Sequence, residues 1–314
     1  MVSTNKPNVL VVGSVNMDLA VRTAQMPQPR QTVLGYNFVT SPGGKGANQA
    51  VAAARLGSNC RFIARLGNDV FGDQLLENLK SNGVDCTNVM VTPQAPSGVA
   101  VIVVDSRGEN SIVVASGANY LVTPDDLFSR EDVFADSNVL LLQLELPLPT
   151  VRAAMDLAHR HNCKIILDPA PAPASLCDEM FNVDIVSPNV SEAEVLTGRS
   201  ATDERGDKLV ASDLITRGAK AAVIKLGPRG SLAVTADGHF YTIPPFKVEV
   251  VDSTAAGDAF TAALGVAVAK GDNMHAAAKF ANAAGALACT KFGAQSAMPT
   301  LEEVQALMLM SSGT

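Results

Sequence analysis

The chain has 314 residues, a length that one α/β domain can fill, and its 47% hydrophobic and 18% charged residues supply a large core and leave no long stretch suited to disorder. The net charge of −7, with lysine and arginine nowhere clustered, excludes the basic stripe of a nucleic-acid binder. Five cysteines, an odd count without a CxxC pair, argue against a zinc site or a disulfide framework and for free thiols in a reducing cytosol.

Residues 1–8 are polar, lack the apolar stretch of a signal peptide and lead straight into a strand at 8–13 (NVLVVG). Residues 33–40 and 98–115 form a different pattern. The second holds two Val-rich runs around Asp105-Ser106-Arg107-Gly108, a hairpin signal, and both segments suit a small sheet apart from the main one. Between them, residues 46–56 (GANQAVAAARL) predict an Ala-rich helix ended by Gly57. From about residue 138 strands alternate with helices. Strands are predicted at 139–144, 164–168, 184–187, 221–225 and 247–251, and helices at 149–161, from Ser191, at 256–270 and at 274–290. That alternation predicts βαβ units and a parallel sheet in one α/β domain carrying a β insertion. No apolar run is long enough to span a bilayer.

Two common nucleotide-binding devices are missing. Gly13-Ser14-Val15-Asn16-Met17-Asp18 lacks the second and third glycines of the dinucleotide fingerprint. Gly43-Gly44-Lys45-Gly46-Ala47-Asn48 does not have the spacing of a P-loop.

The strongest chemical signal is the nonapeptide at 252–260, DSTAAGDAF, at the start of a long helix. Small residues at Ala255, Ala256 and Gly257 let the backbone approach a ligand. A first helical turn offers free N–H groups and the positive dipole end, so the segment makes an anion hole. Asp258 in the same turn sets a carboxylate beside that anion, as phosphoryl transfer to a hydroxyl requires. Asp258 taken alone fits a capped helix start better, whereas the whole nonapeptide favours the anion hole. The second signal is PGGKGAN at 42–48, where three glycines bring backbone close to something, Lys45 adds a cation and Asn48 a donor and an acceptor. In isolation it fits an ordinary turn before a helix just as well.

GGKGANQA followed by D-x-x-AAGD-x-F resembles the ribokinase family of carbohydrate kinases, over nearly the whole chain from GSVNMD at 13–18 to GAQ at 293–295. The resemblance implies a doubly wound, mostly parallel sheet flanked by helices. It also implies a small β-sheet lid from inserted segments at roughly 14–42 and 96–118, through which two subunits pair. Residues 1–314 are then a single domain. Asp258 is implied as catalytic base, with the N–H groups of Ala255, Ala256 and Gly257 as the anion hole. Asn16, Asp18, Gly44, Lys45, Asn48 and Glu145 match sugar-binding positions. Taken singly, Asp18 also suits a turn cap and Glu145 a solvent-facing loop.

Asn189, Lys225, Gly227, Arg229, Gly230 and Asn282, with Gly257, match nucleotide-binding positions. Lys225 stands where the family usually has Thr or Ser, and Pro228 replaces a residue with an N–H. Glu192 matches the residue that organises Mg²⁺ through water, although Ser191 with Glu194 reads as a capping box. Asp252, Thr254, Ala288, Lys291 and Gly293 match the mainly carbonyl ligands of an activating K⁺, while Ala297 stands where a Ser hydroxyl often completes them.

The expected activity is transfer of the γ-phosphoryl of ATP to the 5-hydroxyl of D-ribose in the cytoplasm. The expected partners are the sugar and ATP, not nucleic acid or membrane. The alternatives are another acceptor (deoxyribose, fructose, a sugar acid or a nucleoside) and a sugar-binding sensor without catalysis.

Overall fold

The structure, a computed structural model, describes residues 6–311. Residues 1–5 and 312–314, which belong to the expected polar N-terminus and to the 1–314 domain, lie outside the described residues. The N-terminal half runs β1 (Asn8–Val12), β2 (Asn16–Thr23), β3 (Gly35–Gly43), α1 (Lys45–Arg55), β4 (Asn59–Gly67), α2 (Val70–Ser81), β5 (Val89–Thr92), β6 (Gly98–Val104) and β7 (Asn110–Ala115). It continues with α3 (Pro124–Phe128), α4 (Glu131–Ala135), β8 (Val139–Leu142), α5 (Leu148–Arg160), β9 (Lys164–Leu167) and β10 (Ile185–Val186). The remainder is α6 (Val190–Thr197), α7 (Glu204–Thr216), β11 (Ala221–Lys225), β12 (Ser231–Thr235), β13 (Phe240–Ile243), α8 (Ala256–Lys270), α9 (Met274–Ala288) and α10 (Leu301–Met310).

Nine strands form the main sheet in the order β13-β12-β11-β10-β9-β8-β1-β4-β5. From β11 to β5 neighbouring strands are parallel, and β12 and β13 close one edge antiparallel. Strands buried on both faces read as continuous apolar runs, which is why NVLVV and VLLL carry no polar alternation. In β1, Val9 and Val11 join the core under α1, α2, α8, α9 and α10, while Leu10 and Val12 join the core under α3 to α7. The chain leaves β1 toward β4 and β5, then resumes at β8 on the other side of β1 and winds out to β11. The two halves therefore diverge at the C-terminal ends of β1 and β8, where open α/β sheets bind ligands.

A second sheet, ordered β3-β2-β6-β7, rises from that end. β2 lies parallel to β6, and the outer pairs are antiparallel. Its strands expose Tyr36, Phe38, Ile112 and Val113. Among the described residues, no helix is long and apolar enough to cross a membrane.

Residues 247–251 correct the sequence reading, for they form no strand. β13 is already the edge of the sheet, and Pro244 and Pro245, which have no N–H, follow it. Val250 and Val251 stay exposed, and Val251 N–H bonds only across to the carbonyl of Cys289 at 2.8 Å.

Candidate active site

The site grows from four chain segments that end at the divergence of β1 and β8. Gly44 caps α1 with φ of +88°, a conformation open to glycine. A Cβ there would sit 2.7 Å from the Asn16 nitrogen, and one on Gly43 would sit 2.2 Å from an oxygen of Asp18. The two glycines let the end of β3 lie against the start of β2, which directs the first turn of α1 into the cleft. Asn16 is buried and its amide oxygen accepts from Asn119 Nδ2 at 2.8 Å, while Asn119 Oδ1 accepts from Val15 N at 2.9 Å. Glu145, beyond β8, accepts from the Ser14 hydroxyl and from the Lys45 backbone at 3.2 Å. Burial, then Glu145 and Asp258, push the Asp18 carboxyl up to about 7.

Asp258 sits in the first turn of α8 and is 4% exposed. Asn48 Nδ2 donates to its Oδ2 at 2.8 Å and Gln49 Nε2 to its Oδ1 at 3.3 Å. Burial and the nearby Asp168 raise its pKa, Lys45, Asn48 and Lys225 lower it, and the outcome is about 6. Burial alone would depress Lys45. The carboxylates of Asp258, Asp168, Glu145 and Glu192 outweigh it and hold the ammonium charged above the ordinary lysine range. Just before Asp258, Ala255 adopts a left-handed conformation with φ of +57°. A non-glycine residue held there costs about 1–3 kcal/mol and clusters at functional sites. The Ala256 N–H turns back to Ser253 O at 3.3 Å.

Lys225 ends β11, and its ammonium bonds Asp168 at 2.8 Å and Thr261 at 3.4 Å. A Cβ on Gly257 would lie 3.6 Å from that ammonium, so Lys225 borders the turn at the head of α8. Gly227 and Gly230 shape the next turn with φ of +59° and +88°. Two expected nucleotide residues also bond the protein's own chain. Arg229 forms a two-pronged bond to buried Asp207, with contacts at 2.5 and 3.1 Å, and reaches the Ala201 carbonyl. Asn282 donates to the carbonyls of Ile243 and Pro244.

The capping box falls on Asn189 and Glu192, with both bonds at 2.8 Å, rather than on Ser191 and Glu194. Asn189 takes the extended backbone of a cap, and Glu194 instead accepts from the Ala201 N–H. Burial raises the Glu192 carboxyl.

Asp252 stitches two loops together by accepting from Thr254 N at 2.9 Å and Gly293 N at 3.0 Å. It thereby draws the 252–254 and 288–293 segments side by side. The Lys291 ammonium points away to Glu303 at 2.6 Å, which leaves its backbone for that cluster. Ser296 Oγ bonds the Phe292 carbonyl at 3.0 Å and would meet a Cβ on Gly293 at 2.6 Å, so a hydroxyl borders the loop although position 297 is Ala.

Sequence reading alone missed the buried polar residues behind the site. Asp168 and Gln49 reach Asp258 directly or through each other, and Gln143 Nε2 fixes the Gln49 amide at 2.6 Å. Gln295 Nε2 holds Asn48 Oδ1 at 3.2 Å. The only sequence signal was a polar residue inside or beside an apolar run.

A sequence profile of the pfkB family carbohydrate kinases matches residues 6–301. A ribokinase of Bacillus subtilis is 40% identical over 301 residues, 96% of this chain and 99% of the relative. A ribokinase of Haemophilus influenzae is 38% identical over 299 residues, 95% of this chain and 97% of the relative. The structure of Arabidopsis thaliana ribokinase complexed with ribose and ATP superposes with a TM-score of 0.89 at 31% identity, covering 96% of this chain and 99% of that one.

Proposed function

The chain belongs to the pfkB family of carbohydrate kinases, and we propose that within it the protein is an ATP-dependent ribokinase that converts D-ribose and ATP to D-ribose 5-phosphate and ADP. The observation that carries the reading is the buried Asp258 carboxylate at the head of α8, gripped by two amides of α1 and near the Asp18 carboxyl, in a chain matched over 95–96% of its length by ribokinases.

In this reading Asn16, Asp18, Gly44, Lys45, Asn48 and Glu145 hold the sugar hydroxyls. Ionised carboxylates accept such hydroxyls, and a site built on them rejects sugars that lack the matching group. Asp258 takes the proton of the 5-hydroxyl as its oxygen bonds to the γ-phosphorus. The bond from that phosphorus to the bridging oxygen breaks, and ADP leaves with the electron pair. Lys45 and the N–H groups of Ala255, Gly257 and Ala256, the last on leaving its 3.3 Å bond to the Ser253 carbonyl, stabilise the charge on the transferring group. Asn189, Lys225, Gly227, Gly230 and Gly257 line the nucleotide side, while Arg229 and Asn282 act on it by fixing backbone.

The residues present fit both ions of the family. Among the described residues no three acids, histidines or cysteines cluster for a metal, so Mg²⁺ would be held mainly by phosphates and water, with Glu192 as an outer partner. It would neutralise phosphate charge. The stitched loops of Asp252, Thr254, Ala288, Lys291 and Gly293 offer neutral carbonyls, a donor set suited to K⁺, which would add positive charge behind the anion hole. The small sheet closes over the sugar as a lid, which excludes water from the transfer. Its exposed aromatic and branched residues pair two subunits into a homodimer. The whole chain works as one domain in the cytoplasm.

A carboxylate base is active when ionised, so kcat/KM for ribose should decline as pH drops through about 7 and then about 6, where the Asp18 and the Asp258 carboxyls of the free enzyme take up protons. A pH profile of ADP release checks this, and a flat profile down to pH 4.5 would remove Asp258 from the role.

Arg229→Gln should raise the KM for ATP by less than about threefold and lower the melting temperature by about 2–4 °C, because a buried carboxylate loses its partner at a partly solvated pair. Kinetics with a thermal melt separate this from direct phosphate binding, which would raise the KM for ATP at unchanged stability.

A further inference from the structure

Behind the site a chain of buried and part-buried polar groups runs from the nucleotide side to the base. Asp168, beyond β9, is 1% exposed and its Oδ1 binds the Lys225 ammonium at 2.8 Å. Its Oδ2 accepts from Gln49 Nε2 at 3.0 Å and from Thr261 at 3.4 Å. The same Gln49 nitrogen donates to Asp258 Oδ1 at 3.3 Å. Gln143 donates to Gln49 Oε1 at 2.6 Å, which leaves the Gln49 NH₂ as the end facing both carboxylates. One amide thus bridges an ion pair and the base.

We propose that Asp168 and Lys225, acting through Gln49, are positioning residues for Asp258: the buried ion pair fixes the bridging amide, and with it the orientation and charge state of the base. The proposal rests on Asp258 being that base. An ion pair buried this deeply is weak as a source of stability, since its desolvation offsets its attraction. A role in orienting the base accounts for its place. Lys225 also borders Gly257, so the pair touches both the base, through Gln49, and the turn that forms the anion hole.

The charges facing Asp258 come from every side. They are Lys45 on α1, Asp18 on β2, Asp168 after β9 and Lys225 at the end of β11, with Glu145 and Glu192 acting on Lys45. Asp168 opposes ionisation of the base and Lys225 favours it, so the two members of the pair act on it in opposite directions. Neutralising Asp168 alone leaves an uncompensated ammonium, and Asp258 should then give up its proton at lower pH.

The test measures kcat against pH at saturating ribose and Mg·ATP, where bound sugar already occupies Asp18, for the parent, Asp168→Asn, Asp168→Asn/Lys225→Met and Asp258→Asn. Asp168→Asn should lose about tenfold in kcat and shift the acid limb down by about 0.5–1 unit, with the KM for ribose within about threefold of the parent. The double variant, which buries a neutral pair and needs no lone charge to fold, should move the limb back toward the parent position. An unmoved limb in Asp168→Asn, or a limb equally displaced in the double variant, would overturn the proposal. A parent that phosphorylates ribose and an inactive Asp258→Asn would then show that only this inference fails. An Asp258→Asn variant with parental activity would sink the assignment of the base itself.

Discussion

Asp258→Asn is expected to lower kcat for ribose phosphorylation by at least about 10²-fold, the usual contribution of a positioned general base, while the KM values for ribose and ATP move little. The asparagine keeps the shape of the side chain, and its oxygen can still accept from Asn48 or Gln49, but it cannot take the hydroxyl proton. The variant should also melt no lower than the parent at pH 8. The sign follows from linkage. The folded protein keeps the Asp258 proton up to about pH 6, whereas an ordinary carboxyl releases it near 3.8. Stability from this group is therefore fullest at acid pH, declines as pH rises between those values, and above about 6 the folded state carries a buried anion. A neutral amide removes that cost. Kinetics combined with thermal melts at pH 8 check both halves. An inactive variant that also melts far lower would point to misfolding rather than to loss of the base.

Gly43→Ala is expected to reproduce the loss of Asp18, raising the KM for ribose about 10²-fold or more. No side chain of the sugar pocket is altered by this substitution. Its added methyl would occupy space 2.2–2.5 Å from the Asp18 carboxyl group, and real Cβ atoms do not approach so closely. The backbone at Gly43 pairs with Asn16 in the ladder between β3 and β2, so it cannot retreat without breaking the small sheet. The Asp18 side chain must move instead. Steady-state kinetics on Gly43→Ala, Asp18→Ala and the double variant test the link. The double variant should be no worse than Asp18→Ala alone, since both changes remove the same carboxylate from the sugar. Fully additive losses would show that Gly43 serves the site by another route.

The parallel sheet was legible in the sequence because its strands are short apolar runs followed by helices. Residues 256–270 match α8 to the residue, since an Ala-rich periodic stretch is bounded by the AAG turn and Gly271. The ends of strands were less legible. Residues 143–144 and Asp168 follow directly on apolar runs in sequence but lie beyond β8 and β9, where they are buried. β4, α2, β5, α3, α4, α7, β12, β13 and α10 went unassigned, because short length or polar content weakened the apolar pattern on which the other elements were read. Residues 247–251 show the reverse failure: a β-branched run has no strand to pair with once β13 has closed the edge.

At the site, motifs pointed to Asp258, Lys45 and Asn48 because they sit among glycines or at a helix start. Gln49 and Asp168 gave no such signal, for their importance lies in contacts across 119 residues of separation. The hydrogen bonds of Arg229 and Asn282 were likewise invisible. Both side chains suit ligand binding by type, and only three-dimensional packing shows that each is engaged with the protein's own chain.

The measurement that bears most directly on the central claim is phosphorus NMR of the product formed from D-ribose and Mg·ATP with K⁺ present. Ribokinase activity predicts stoichiometric ADP and a phosphomonoester on the C5 oxygen, formed at least about 10²-fold faster than by Asp258→Asn. ADP without a sugar phosphate, or phosphate on another hydroxyl of ribose, would contradict it.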